Sequence, residues 1–299
     1  MNGTTVPLAP GRRQPVRPGK SDRRHSPTRV LTSILVTNVI ARGGGVEMDP
    51  EQSLVIYADF GSPACLAASA RADALVAAGV RVDWRAIEPD PRLPVGGVRM
   101  SAAEREALER ELEVVAGLLV PGEELPRSVP AFRPNARGPV AGYAEAYGAG
   151  VADDVRRLLF SAYWSRGLDI GSTEVLRRLL AGPVLRGHAT SVPLSDFGLA
   201  VSPSRGPITM DAFRRIRDWS ARWRSLNAAP LPLLVVDGSL PVAGETALRR
   251  LEKEMNRAGA TPQPALPDPG RYPLVPDPPA LPWASANGGP WRHAYMVGA

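Results

Sequence analysis

Cysteine is almost missing: Cys65 is the single one among 299 residues. That excludes an internal disulfide and any cysteine-based zinc site. Histidine is scarce too. His25, His188 and His293 stand far apart in sequence, so no metal site is expected from them. Lysine occurs only at Lys20 and Lys253, and arginine supplies the other positive charges. No run approaches the roughly 18 continuous apolar residues of a membrane helix. Val30 to Ala41 follows a basic stretch, as the core of a signal peptide would. Thr32, Ser33, Thr37 and Asn38 interrupt it, however, and no small-residue cleavage site follows. The expectation is a cytoplasmic protein with no membrane attachment, its translation starting at Met1 or at Met48.

The positive charge that is present sits at one end. Residues 1–47 hold Arg12, Arg13, Arg17, Lys20, Arg23, Arg24, Arg29 and Arg42 against Asp22 and Glu47, which matches the whole formal excess of +6. The rest of the chain is close to neutral, so the high pI does not argue for nucleic-acid binding. Residues 1–47 lack apolar periodicity and read as a disordered basic leader. Residues 261–299 are proline-rich and read as a second disordered tail.

Between the tails the pattern is periodic. Ser53 to Phe60 reads as a strand, Pro63 to Ala78 as a helix and Val80 to Ile87 as a second strand, a βαβ unit with parallel strands. Helices are expected over Ala102–Leu119, Val140–Gly148, Asp153–Arg166, Ser172–Ala181 and Met210–Leu226, with a loop over residues 183–207. Leu233–Val236 is a short apolar strand. Asp237-Gly238 suggests a hairpin turn into a return strand over Leu240–Val242, and Glu245–Ala258 a closing helix. The order βαβ, helices, ββα is a thioredoxin-like α/β arrangement over residues 48–260, with a helical insertion at about 100–227.

The chemistry centres on Gly61-Ser62-Pro63-Ala64-Cys65. Pro63 suits a first helical position and Ser62 an N-cap. A group there would meet free backbone N–H groups and the positive end of the helix dipole, which favour a thiolate. Cys65, among alanines and Leu66, is expected to face the core. Leu231-Pro232, before the later strand, is expected to be cis and to lie beside Ser62, because the two strands should be neighbours in one sheet.

These segments resemble the DsbA-like proteins, which include DsbA-type oxidoreductases, 2-hydroxychromene-2-carboxylate isomerases and kappa-class glutathione transferases. The resemblance runs through YADFGSPACLAASARADAL, VDWRAIEP, DDVRRLLFSAYWSRGLDI with STEVLRRLLAG, and LPLLVVDGSLPVAG. In the oxidoreductases the motif is Cys-X-X-Cys, which here becomes Ser62 and Cys65. A serine cannot attack a disulfide, so the usual dithiol route is closed. The isomerases and transferases carry Ser-Pro instead, and there the serine hydroxyl holds the glutathione sulfur. The resemblance therefore implies catalytic roles for Ser62 and Cys65, and a substrate- or thiol-binding role for Pro63, Leu231 and Pro232. The same comparison gives Asn135 a binding role, against an ordinary turn residue.

Three functions follow from this. One is a thiol-dependent isomerase or transferase that uses glutathione or another low-molecular-weight thiol, bound only transiently, and a small-molecule substrate. The second is a redox-inactive groove that binds a peptide or a partner. The third is a single-cysteine thiol-disulfide oxidoreductase. A polar pocket with a basic rim at Ser62 favours the first, an apolar groove the second and an exposed Cys65 the third. The oligomeric state is open.

Overall fold

The computed structural model describes residues 53–94, 96–187, 199–237 and 239–262. All lie within one compact unit. The leader, and the C-terminal tail beyond Pro262, fall outside the described residues, as does Gly238 of the expected hairpin turn.

Strand β1 (Ser53–Ala58) pairs in parallel with β2 (Arg81–Ala86), from Ser53 opposite Arg81 to Ala58 opposite Ala86. Parallel neighbours need a crossover, and helix α1 (Pro63–Ala77) supplies it. Pro63 at the start of α1 lacks an N–H that would have no partner there anyway. Ala64, Ala67, Ala68, Ala70, Ala72 and Ala74 are all buried, and side chains this small let α1 pack closely on several sides. The helix ends at Ala78, and the following Gly79 takes a positive φ of 84°.

The insertion begins with a feature the sequence did not suggest. Val98–Arg99 (β3) and Phe132–Arg133 (β4) form a small antiparallel ribbon. Two residues per strand are too few to show an alternation. Between them runs α2 (Ala102–Ala116), started by a capping box in which Ser101 and Glu104 satisfy each other's backbone N–H groups. Then come α3 (Arg137–Gly148), α4 (Ala152–Phe160), α5 (Thr173–Arg186) and α6 (Met210–Ser225). Helix α3 packs on α4, α5 and α6, and both α3 and α6 reach β2.

Several boundaries differ from expectation by a few residues, and three of the differences have a physical reason. Helix α4 does not run evenly to Arg166 but widens over Ser161–Ser165, where the Arg166 N–H reaches back five residues to the Ser161 carbonyl. Helix α5 continues through Pro183 to Arg186 rather than giving way to a loop at residue 183, because Pro183 and Val184 are both buried against the core. The return strand is Val242–Ala243, not Leu240–Val242, and so starts two residues later than expected. Pro241 has no N–H to give to a ladder, which keeps pairing from starting earlier.

Strand β5 (Leu233–Val236) lies antiparallel to β1, with Tyr57 opposite Leu233, and β6 (Val242–Ala243) flanks it. The sheet order is β2-β1-β5-β6. Helix α7 (Gly244–Ala258) closes the fold against α1. This is the thioredoxin-like arrangement split by helices between β2 and β5. No helix among the described residues is long and apolar enough to cross a membrane.

Candidate functional site

The chain leaves β1 through Asp59, Phe60 and Gly61 and enters α1 at Ser62, so this turn is fixed by the sheet on one side and the helix on the other. Ser62 is held from three directions. Its backbone N–H donates to Asp59 Oδ1 at 3.0 Å, its Oγ accepts from the Cys65 N–H at 3.4 Å, and its hydroxyl donates to Glu111 Oε1 at 3.1 Å. Ser62 is thus the N-cap of α1, and it is also tied to α2 of the insertion. Phe60, next to it, is anchored by its carbonyl, which accepts from Trp164 Nε1 at 3.1 Å. The wide turn after α4 places that indole, and Trp164 is a packing residue with its ring against Tyr163. Trp219 likewise packs on Tyr143 and Tyr147.

A cleft of about 360 Å³ opens at this turn. Asp59, Gly61 and Ser62 line it from the turn after β1, Leu108 and Glu111 from α2, and Arg133, Tyr163 and Ile170 from β4 and the later part of the insertion. Nothing in the sequence marked Glu111, Arg133 or Tyr163 as site residues. Glu111 sits in a run of alternating acids and arginines that looks like any solvated helix face, and only the docking of α2 beside Ser62 singles it out.

The cleft is mixed, with charged groups set among a larger share of apolar ones such as Phe60, Leu93, Met100 and Leu108, and its rim is not basic. Among the described lining residues, Asp59, Asp90, Glu104 and Glu111 face a single guanidinium, that of Arg133. Burial pushes the Asp59 carboxyl up, against hydrogen bonds from Ser62, Cys65 and Gly61 and the pull of Arg133. Desolvation likewise pushes Glu111 up, although much of its side chain meets solvent; the Ser62 hydrogen bond opposes this and the Asp59 charge adds to it. Tyr163 is raised by burial, and its hydroxyl donates to the Phe132 carbonyl at 2.9 Å.

Cys65 is fully buried, at 0% exposure. Burial first, and then the neighbouring Asp59 charge, push its thiol well above the ordinary range. It is a core thiol beside the Asp59 charge with its proton firmly held, the opposite of an activated nucleophile. In the native protein Cys65 should therefore resist 5,5′-dithiobis(2-nitrobenzoate), reacting at least about a hundredfold slower than in urea. Labelling as fast in the folded state as in the unfolded one would contradict this burial.

The Leu231-Pro232 bond is cis, as read from the sequence. The register that sets Tyr57 opposite Leu233 carries Pro232 to the end of β1, near the turn that leads to Ser62. The Pro232 carbonyl accepts from the Gly244 N–H at 2.9 Å. Neither Leu231 nor Pro232 lines the cleft, which lies on the insertion side of Ser62. Asn135 is 4% exposed and works as a loop brace: its Nδ2 donates to the Leu93 carbonyl at 2.8 Å, and its Oδ1 accepts from the Arg137 N–H at 3.0 Å. Its neighbours Pro134 and Ala136 line the cleft while its own side chain does not.

The raised Asp59 carboxyl has a consequence for stability. A carboxyl whose folded-state pKa lies above its unfolded value near 3.8 stabilises the fold fully below that value, and the stabilisation is lost as pH rises through the folded pKa. Asp59→Asn keeps the Oδ1 acceptor and removes the charge. The melting temperature of the variant should therefore gain on the wild type as pH rises from about 4 to 7. A gap that moves in the opposite direction would show that the carboxylate is favoured in the fold.

Residues 53–182 match the family model described as a DSBA-like thioredoxin domain. No curated protein is matched by the chain. Among solved structures, a probable DsbA oxidoreductase from Streptomyces coelicolor is 18% identical over 71% of this chain and 92% of its own, with a TM-score of 0.49. A 2-hydroxychromene-2-carboxylate isomerase is 20% identical over 69% and 95%, with a TM-score of 0.47. The cytosolic disulfide reductase DsbM from Pseudomonas aeruginosa is 16% identical over 69% and 95%, with a TM-score of 0.48. The match to the DSBA-like thioredoxin domain starts at β1 and takes in α1, β2 and the first helices of the insertion, and within it Ser62 and Cys65 stand at the ends of a Ser-Pro-Ala-Cys segment.

Proposed function

We propose that the protein is a thiol-dependent isomerase or transferase that binds a low-molecular-weight thiol with its sulfur at Ser62. The observation that carries this reading is the contrast between the two ends of the motif. Ser62 opens on the cleft at the N-terminus of a fifteen-residue helix, whereas Cys65 is sealed beneath it. Thiol-disulfide exchange through Cys65 has neither access nor a thiolate. Ser62, by contrast, offers a hydroxyl beside the positive end of the α1 dipole, where a sulfur anion is stabilised.

The charges of the cleft bear on which thiol fits. One arginine among four carboxylates is a poor match for the two carboxylates of glutathione. A neutral or amine-bearing thiol suits the site better. The second substrate is a small electrophile, since about 360 Å³ falls at the small end of ligand pockets.

A thermal-shift series with glutathione, cysteamine and 2-mercaptoethanol tests the binding, because a ligand of the native state raises apparent stability. The wild type should be stabilised most by the thiols without carboxylates. Ser62→Ala should lower turnover of a thiol and an electrophile by roughly ten- to a hundredfold, the worth of a hydrogen bond to a charged sulfur of about 1.5–3 kcal/mol. If no thiol stabilises the protein, the reading fails, and the cleft is then a binding groove of another kind.

A further inference from the structure

We propose that Glu111, from the inserted helix α2, is the general base that takes the proton of the bound thiol. This rests on the thiol reading of Ser62. The geometry behind it is the 3.1 Å hydrogen bond from the Ser62 hydroxyl to Glu111 Oε1, made inside the cleft and across the boundary between the thioredoxin core and the insertion. A serine has one hydroxyl proton. When Ser62 turns it toward a bound sulfur, Glu111 Oε1 loses its donor and becomes the nearest vacant acceptor for the S–H proton.

The charge around the site makes a local acceptor necessary. Asp59 stands beside Ser62, Asp90 and Glu104 also line the cleft, Arg133 is the one cation of the described lining and Tyr163 is neutral. A thiolate formed by losing its proton to solvent would add a further negative charge to this cleft. Transfer to Glu111 instead moves the charge by one hydrogen-bond length and leaves the net charge of the cleft unchanged. The α1 N-terminus then favours the anion at the Ser62 end. Desolvation, which pushes the Glu111 carboxyl up, brings its proton affinity closer to that of a thiol.

The step balances without an oxidant or reductant. The thiol R–SH gives its proton to the Glu111 carboxylate, and a sulfur lone pair forms a C–S bond to the electrophilic carbon. In a transfer reaction the leaving group departs with its bonding pair, and Glu111 later returns the proton to solvent. In an isomerisation the π electrons of a conjugated double bond move onto its carbonyl oxygen, and the bond, now single, rotates. The electrons then return and expel the sulfur, which takes the proton back from Glu111.

The full chain can be assayed with 2-mercaptoethanol and 1-chloro-2,4-dinitrobenzene, comparing the wild type with Glu111→Gln. Glutamine keeps the size and can still accept from Ser62, but it cannot take a proton. The expected result is a loss of kcat of about a hundredfold or more. The KM for the thiol and the thermal shift with 2-mercaptoethanol should stay within about threefold of wild type, and the acidic limb of the kcat profile should vanish. If the variant keeps wild-type kcat and the same limb, Glu111 is a bystander and the thiol reading stands without it. If it loses kcat but keeps the limb, or loses thiol binding along with kcat, Glu111 positions or binds rather than transfers a proton, and the proposal is overturned. A wild type that shows neither turnover nor a thermal shift removes the thiol reading and this role together.

Discussion

Glu123→Ala should cost about 3–5 kcal/mol of folding stability, the range for breaking a buried ion pair by removing one partner. Arg71 projects from the middle of α1 with a side chain that is 0% exposed. Its Nε and Nη2 donate to the two Glu123 oxygens at 2.8 Å each, Nη1 donates to the Leu248 carbonyl at 2.6 Å, and Nη2 also reaches the Leu118 carbonyl at 2.7 Å. Glu123 Oε2 in turn accepts from the Val120 N–H at 2.9 Å. One guanidinium therefore ties together α1, the chain after α2 and α7. Removing Glu123 leaves a cation buried with only carbonyl partners. Urea unfolding at constant m-value would measure the loss. The double variant Arg71→Met with Glu123→Leu should lose less than the single one, because no charge is then left without its partner. A single variant within 1 kcal/mol of wild type would show that water reaches Arg71 and that the pair is not a staple.

Phe160→Ala should cost a similar amount, about 3–5 kcal/mol, as the removal of a large buried ring leaves a cavity. Phe160 ends α4, is 0% exposed and packs on Phe60 at 5.2 Å and Trp84 at 6.0 Å between ring centroids. Phe60 belongs to the turn that presents Ser62, and Trp84 to β2. The same ring thus joins the insertion to the sheet and backs the site. Phe160→Leu, which refills part of the space, should lose clearly less than Phe160→Ala in the same unfolding experiment. Equal losses for the two would mean that ring shape, not volume, holds this contact.

Much of this was legible before any coordinates. Ser62-Pro63 at the start of an alanine-rich helix is a local signal, because N-capping and the missing proline N–H act within one turn of chain. The strand pattern of Ser53–Phe60 and the short apolar run Leu233–Val236 set the order of elements, and that order carried the family resemblance and the neighbouring of Pro232 with the end of β1. The burial of Cys65 followed from the apolar residues around it.

What stayed hidden depends on contacts between residues distant in sequence. Asn135 looked like a binding residue but serves as a brace, because its amide meets Leu93, 42 positions away. The helix through Pro183 holds because burial of Pro183 and Val184 outweighs a lost hydrogen bond, a balance that no local rule contains. The acids of the cleft come together from the turn after β1, the loop after β2 and helix α2, so they appear in no single window of sequence. The sequence alone determined the fold class and the serine at the mouth of α1, since periodicity and capping act over a few residues. Only the tertiary structure decided that Glu111 is Ser62's hydrogen-bond partner, because 49 residues and a helix docking separate them.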